Sequence, residues 1–311
     1  MMIKTEKGEF KQEDTTSALY DESYSKVDKI IQNVKRGISF SIDEPAEIVN
    51  KFIESLVVND TLIRKALFSK TLSLDIPSHL LNVCIFALEI GMGLNYKIEE
   101  LKRLGLVAIL HDLGMAKIPE GILKKPGKLS TEEFTVVKKH PEEGADILKS
   151  LGKNYLWISE IVVQEHERFD GKGYPHGLKG NEIHEYALII GISDVYEALT
   201  HHRFQRRNLP PFDSMKEILS VERSSFPKKI IKALLAKLPV FPVGTMVRLN
   251  SQETGIVVST DSYSPFRPTV EIILDPSGNK SKTKRIINLK ENSLLYIISL
   301  VSEEEIYIPK G

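Results

Sequence analysis

Residues 98–114 read IEELKRLGLVAILHDLG. Leu101, Leu104, Val107, Ala108 and Leu110 recur at helical spacing, so the stretch is expected to form a helix with one face in a core. It runs into His111-Asp112 and then Leu113-Gly114. Taken alone, a His-Asp pair at a helix end reads as two solvated polar groups. Its weight depends on its company.

The chain has eight histidines, and four stand where solvation is awkward. His79 opens the strongly apolar run from Ser78 to Gly91. His111 ends the helix just described. His140 precedes Pro141, and a proline excludes helix before it while favouring a first helical turn, so His140 is expected at a corner between two helices. Ser130 and Glu133 form a capping box that opens the first of the two. His166 follows Ile161-Val162-Val163.

Asp194 is the sharpest single residue, because it lies inside Leu188-Ile189-Ile190-Gly191-Ile192-Ser193-Asp194-Val195. A carboxylate there is costly unless it is paired or binds a metal. Asp75, four residues before His79, either shares that face of the helix or caps it. Imidazoles and carboxylates without thiolates suit iron, manganese or zinc. Glu165-His166-Glu167-Arg168-Phe169-Asp170-Gly171-Lys172-Gly173-Tyr174-Pro175 reads as a tight turn that starts at a candidate ligand and presents Tyr174.

The rest of the chain sets limits. Lys plus Arg and Asp plus Glu are 42 each, so no net field attracts a nucleic-acid polymer. The one cysteine, Cys84, excludes a disulfide framework and reads as a small buried hydrophobe. The first residues carry no apolar leader, and the apolar runs fall far short of a membrane span, so a cytoplasmic protein is expected.

The expected fold is mainly α with a small antiparallel β unit at its end. Residues 1–21 are expected to be a mobile tail, and 22–70 to be helices packing on the core. Residues 71–240 are expected to form the main domain, with helices near 155–167, 184–201 and 213–238. Residues 241–311 hold the β unit, with strands at Met246–Asn250, Thr254–Thr260, Thr269–Asp275 and Leu294–Val301. The basic run Lys280–Arg285 is read as a solvated hairpin.

Together these motifs resemble the HD-GYP family, over roughly residues 70–210: His111-Asp112, Lys125-Pro126-Gly127-Lys128-Leu129, His140-Pro141-x-x-Gly144, His166-Glu167-x-x-Asp170-Gly171-x-Gly173-Tyr174-Pro175, and Asp194-Val195-Tyr196-x-Ala198-Leu199-Thr200-x-x-Arg203. The segment from Phe241-Pro242-Val243-Gly244 onward looks like the short β extension that often follows such domains.

The resemblance implies an HD-type helical bundle that hydrolyses cyclic di-GMP to pGpG or GMP at two or three metal ions, iron or manganese. It implies His79, His111, Asp112, His140, His166 and Asp194 as ligands. By the same resemblance His111 and Asp112 would be the catalytic pair, with Asp112 bridging. Asp75 matches an acidic ligand that some members use for a third ion. Arg203, Arg206 and Tyr174 would contact substrate, and the turn at Tyr174 would also dock diguanylate-cyclase domains. Residues 22–70 are a candidate homodimer surface.

Two positions depart from the family pattern. Met115 stands where a lysine is usual, leaving Lys117 as the nearby candidate for substrate. Glu165 replaces a histidine and is a candidate ligand with a different charge. These departures keep two alternatives in view: a cyclic di-GMP receptor or interaction module with little turnover, and an HD phosphohydrolase acting on ordinary nucleotides.

Overall fold

The computed structural model describes residues 6–68, 75–201, 208–261 and 264–301. In chain order the helices are α1 (Glu6–Lys35), α2 (Asp43–Val58), α3 (Thr61–Phe68), α4 (Ile76–Gly93), α5 (Ile98–Leu110) and α6 (Glu120–Leu123). They continue as α7 (Thr131–Val137), α8 (His140–Lys149), α9 (Leu156–Val162), α10 (Glu185–Thr200), α11 (Pro211–Ser220) and α12 (Lys228–Lys237). Two compact units result, Met1–Leu234 and Leu235–Gly311.

The first unit is built on α4. Leu80, Leu81, Val83, Cys84, Ile85, Phe86, Ala87 and Leu88 are all fully buried, so this helix is apolar on every side. Helices α1, α2, α3, α5 and α10 pack around it. Phe86 meets Tyr196 of α10 edge-on, with ring centroids 5.2 Å apart. Tyr20 of α1 donates its hydroxyl to Asn82 Oδ1 at 2.7 Å. The expectation that every apolar run falls far short of a membrane span is corrected here. Helix α4 is 18 residues long with a mean hydropathy of 1.4, yet 83% of it is buried inside the fold, as in a core helix. Cys84 lies within it, and burial pushes its thiol pKa up.

Three further expectations are corrected. Residues from Glu6 belong to α1, so the span 1–21 is helical from there on rather than a tail. Its inward stripe continues through the buried Thr16, Tyr20 and Ser23, residues too polar to show as apolar periodicity. The span 213–238 is two helices, broken before Pro227, where Phe226 turns into the core. Helix α9 stops at Val162, and Glu165 and His166 lie in the turn that follows.

The second unit holds an antiparallel sheet of β1 (Met246–Leu249), β2 (Thr254–Ser259), β3 (Thr269–Leu274), β4 (Lys280–Asn288) and β5 (Ile297–Leu300), ordered β4-β3-β2-β1-β5. Val247 lies opposite Gly255, and Val257 opposite Val270. These valines face the core while their neighbours are more exposed. Lys280–Arg285, read as a hairpin, belongs to β4, and the turn is Asp275–Asn279. Lys280, Lys284 and Arg285 are exposed, as suits a charged edge strand.

Candidate metal centre

Four helix ends and one helix face bring the candidate ligands together. The first turn of α4 presents His79, and the C-cap of α5 presents His111, with Asp112 next. Helix α8 opens at His140 with Pro141 in its first turn, after α7, whose Ser130–Glu133 capping box is formed as expected. The turn after α9 supplies Glu165 and His166. Asp194 and Glu197, three residues apart, lie on α10.

Two glycines set these approaches. A Cβ at Gly114 would lie 1.9 Å from the His140 carbonyl oxygen, so the turn after Asp112 can rest on α8 only as glycine. A Cβ at Gly173 would lie 2.4 Å from the Arg168 nitrogen and 2.5 Å from the His166 carbonyl oxygen. The loop folds back there, and the Tyr174 amide donates to the His166 carbonyl at 3.2 Å. Buried Glu167 fixes the same loop by accepting from the amides of His176, Gly177 and Leu178 at 2.7, 3.1 and 3.0 Å.

His79, His111 and Asp112 form one group and His140, Glu165 and His166 a second, each with its candidate ligand atoms within 4.8 Å of one another. The groups adjoin. His140 Nε2 is 3.1 Å from Asp112 Oδ1, and His111 Nε2 is 3.9 Å from Glu165 Oε2. Asp194 Oδ1 lies 3.6 Å from His79 Nε2.

The hydrogen bonds aim the Nε2 atoms inward. His111 Nδ1 donates to the Ala108 carbonyl at 2.7 Å and His140 Nδ1 to the Val137 carbonyl at 2.6 Å. A carbonyl only accepts, so both rings carry their proton on Nδ1 and leave Nε2 for a ligand. His140 Nε2 then faces His166 Nε2 at 2.9 Å and Glu165 Oε1 at 3.0 Å.

A cation fits this donor set. His111 Nε2, Asp112 Oδ1 and Glu165 Oε2 are buried without a hydrogen-bond partner. Orphaned buried acceptors are costly, and three of them converging among imidazoles is the arrangement a metal ion satisfies.

The electrostatics agree. Burial alone lowers His79, but Glu197, Asp112 and Asp194 outweigh it and lift the ring to about 10. Burial also opposes the charge on His140, yet Asp112 and Glu165 raise it to about 9. Burial lifts Glu165 to about 8, partly offset by His140. For Asp112, burial pulls upward, and His140, His79 and His111 hold the carboxyl well below the usual range. Burial and then His140 push His166 down to about 3, and burial lowers His111. Protons thus hold these carboxylates and imidazoles together where divalent ions would displace them.

Other expected residues fall elsewhere. Asp75 is the N-cap of α4 and accepts from Ser78 Oγ at 2.9 Å, and it belongs to neither ligand group. Lys117 is exposed at the end of a 3₁₀ turn. Arg203 and Arg206 lie outside the described residues. Tyr174 stacks on His166 with centroids 4.7 Å apart and planes 18° apart, and the Lys138 ammonium sits 5.1 Å from its ring centre. Three contributors were given no role from the sequence. Glu197 binds His79 Nδ1 at 2.8 Å, and its three-residue offset from Asp194 was the available signal. Glu167 organises the loop, and Lys138 lies two residues before His140.

The family described as HD domain matches residues 62–229, and the chain belongs to it. Residues 246–308 match a KOW domain associated with HD domain. A cyclic di-GMP phosphodiesterase of Pseudomonas aeruginosa is 25% identical over 260 residues, covering 84% of this chain and 63% of that protein. A 3'3'-cGAMP-specific phosphodiesterase of Vibrio cholerae is 35% identical over 127 residues, covering 40% of this chain and 24% of that protein. The chain thus spans less than two thirds of either relative. An HD-GYP-type protein of Bdellovibrio bacteriovorus shares the fold, with a TM-score of 0.58, 16% identity, and coverage of 72% of this chain and 71% of that one. An HD domain implies a divalent metal centre, and the two groups above are its candidate ligands here.

Proposed function

We propose that the chain hydrolyses cyclic di-GMP to pGpG, GMP or both, using two or three iron or manganese ions. The observation that carries this reading is the pair of adjoining imidazole–carboxylate groups with three buried, unsatisfied ligand atoms. His79, His111, Asp112 and Asp194 would hold one ion, and His140, Glu165 and His166 another, with Asp112 between them. Bound divalent ions lower the pKa of water and neutralise charge gathering on a phosphoryl group.

The chain's own residues do the rest. Backbone carbonyls fix the tautomers of His111 and His140, and Glu165 keeps an acidic group where two imidazoles converge. The Tyr174 ring, stacked on His166 with the Lys138 ammonium 5.1 Å from its centre, walls the site and is proposed to line the nucleotide pocket. Arg203 and Arg206 are proposed to clamp the phosphates, a role suited to guanidinium. A cytoplasmic setting, diguanylate-cyclase docking at the Tyr174 turn and a dimer through residues 22–70 belong to the same proposal.

The test is hydrolysis of cyclic di-GMP by anaerobically purified protein, with metal content measured on the same sample and 3'3'-cGAMP and ordinary nucleotides run alongside. The His111→Ala/Asp112→Ala variant is expected to lose both metal and turnover, and wild-type turnover in it would sink the assignment. A second reading rests on Met115 and on the exposed Lys117: a receptor that binds the dinucleotide and signals without cutting it. Tight binding and full metal loading without product would establish that reading instead.

A further inference from the structure

His79 is oriented differently from its neighbours. The Nδ1 atoms of His111 and His140 are held by neutral carbonyls three residues earlier in the chain. The Nδ1 of His79 meets a carboxylate, Glu197 Oε2, at 2.8 Å. Glu197 is buried on α10, one turn beyond Asp194. Its other oxygen lies 3.6 Å from His201 Nδ1. His201 Nε2 donates to the Ala66 carbonyl at 2.8 Å. Polar contacts therefore run from α3 through His201 and Glu197 to a candidate ligand.

We propose that Glu197 is a positioning residue for one half of the metal centre. A carboxylate at Nδ1 fixes the tautomer and tilt of the ring and strengthens Nε2 as a donor. It turns His79 Nε2 toward Asp112 Oδ2 at 3.4 Å and Asp194 Oδ1 at 3.6 Å. The ion held by His79, His111 and Asp112 depends on Glu197, and the ion held by His140, Glu165 and His166 does not. The inference rests on the binuclear reading above and adds an inequality between its two ions.

The experiment measures bound Mn(II) per chain against graded chelator, with the electron paramagnetic resonance spectrum and the melting temperature of the metal-free form. Wild type is compared with Glu197→Gln and Glu197→Ala. Glu197→Gln keeps the shape and an acceptor but removes the charge. Glu197→Ala is expected to hold one ion firmly and the second about 10- to 100-fold more weakly. An isolated-ion spectrum would then replace the coupled one, and Glu197→Gln would fall between. Two ions at wild-type affinity in both variants would overturn the role. So would equal loss of both ions with a lowered metal-free melting temperature, which marks a purely structural residue. If Glu197→Ala does not fold, Glu197→Gln decides alone: selective weakening of one ion supports the role, and unchanged affinities overturn it. Wild type that binds no ion would overturn the metal centre itself, a failure distinct from wild type with two ions and variants unchanged.

Discussion

Met115 and Glu165 are where this chain departs from the pattern its other motifs follow. Met115 lies three residues after Asp112, on the turn that Gly114 seats against α8, and it brings no charge. Under the proposed function, Met115→Lys adds a cation beside the reacting phosphate. It is expected to raise kcat roughly tenfold or more with metal content unchanged. Steady-state kinetics and metal analysis on one sample check this, and an unchanged or lower kcat would count against it. Glu165→His restores an imidazole and removes a buried carboxylate. It is expected to shift preference away from manganese, the harder ion, in a competition between manganese and zinc. At this scale the candidate ligands that the structure gathers were legible, because histidines and carboxylates in apolar runs are conspicuous. The roles of Glu197, Glu167 and Lys138 were not. Each acts on a partner distant in sequence or through a loop, and that information exists only after folding.

Elements place these residues, and their failures should be larger than those of single ligands. Gly114→Ala drives a methyl into the His140 carbonyl, so the turn and α8 must separate. The expected loss is about 3 kcal/mol or more of stability, together with metal binding, read by denaturant melts and metal content. Phe86→Ala empties a fully buried site on α4 against Tyr196 and should cost roughly 3–5 kcal/mol in the same melts, with no ligand touched. Helix types were legible wherever apolar residues repeat, as in α4, α5 and α10. The start of α1 was hidden because Thr16 and Ser23 face inward in place of hydrophobes. The break between α11 and α12 was signalled by Pro227 but passed over, because apolar residues at helical spacing resume directly after it at Ile230, Ile231 and Leu234. Strand β4 was hidden because an edge strand tolerates charge that an inner one does not.

For the whole molecule, the clearest expectation is how stability responds to pH with and without metal. In the metal-free protein His79 and His140 are raised from the ordinary 6.5 to about 10 and about 9, and Glu165 from 4.5 to about 8. The folded state therefore binds more protons than the unfolded one in this range, and stability falls as pH rises from about 6.5 through 10. The depressed His166 acts in the opposite sense, but at pH below 6.5. Divalent ions replace those protons, so the loaded protein should show a flatter profile over the same window. At a free metal concentration 100 times Kd, the gain is about 2.7 kcal/mol. Thermal melts across pH, with chelator and with manganese, check both parts, and parallel profiles would contradict the displacement of protons by metal.

The contact between Gly114 and His140 reaches further than steric fit. It locks the peptide carrying His111 and Asp112 to the first turn carrying His140, so the ligands are gathered when the chain folds and not when an ion arrives. The conformational entropy of assembling the centre is lost at folding. Ion uptake by the folded protein should then be quick, with little change in backbone order or hydrogen exchange. Calorimetry should find the entropy of binding set by water and protons released rather than by chain immobilised.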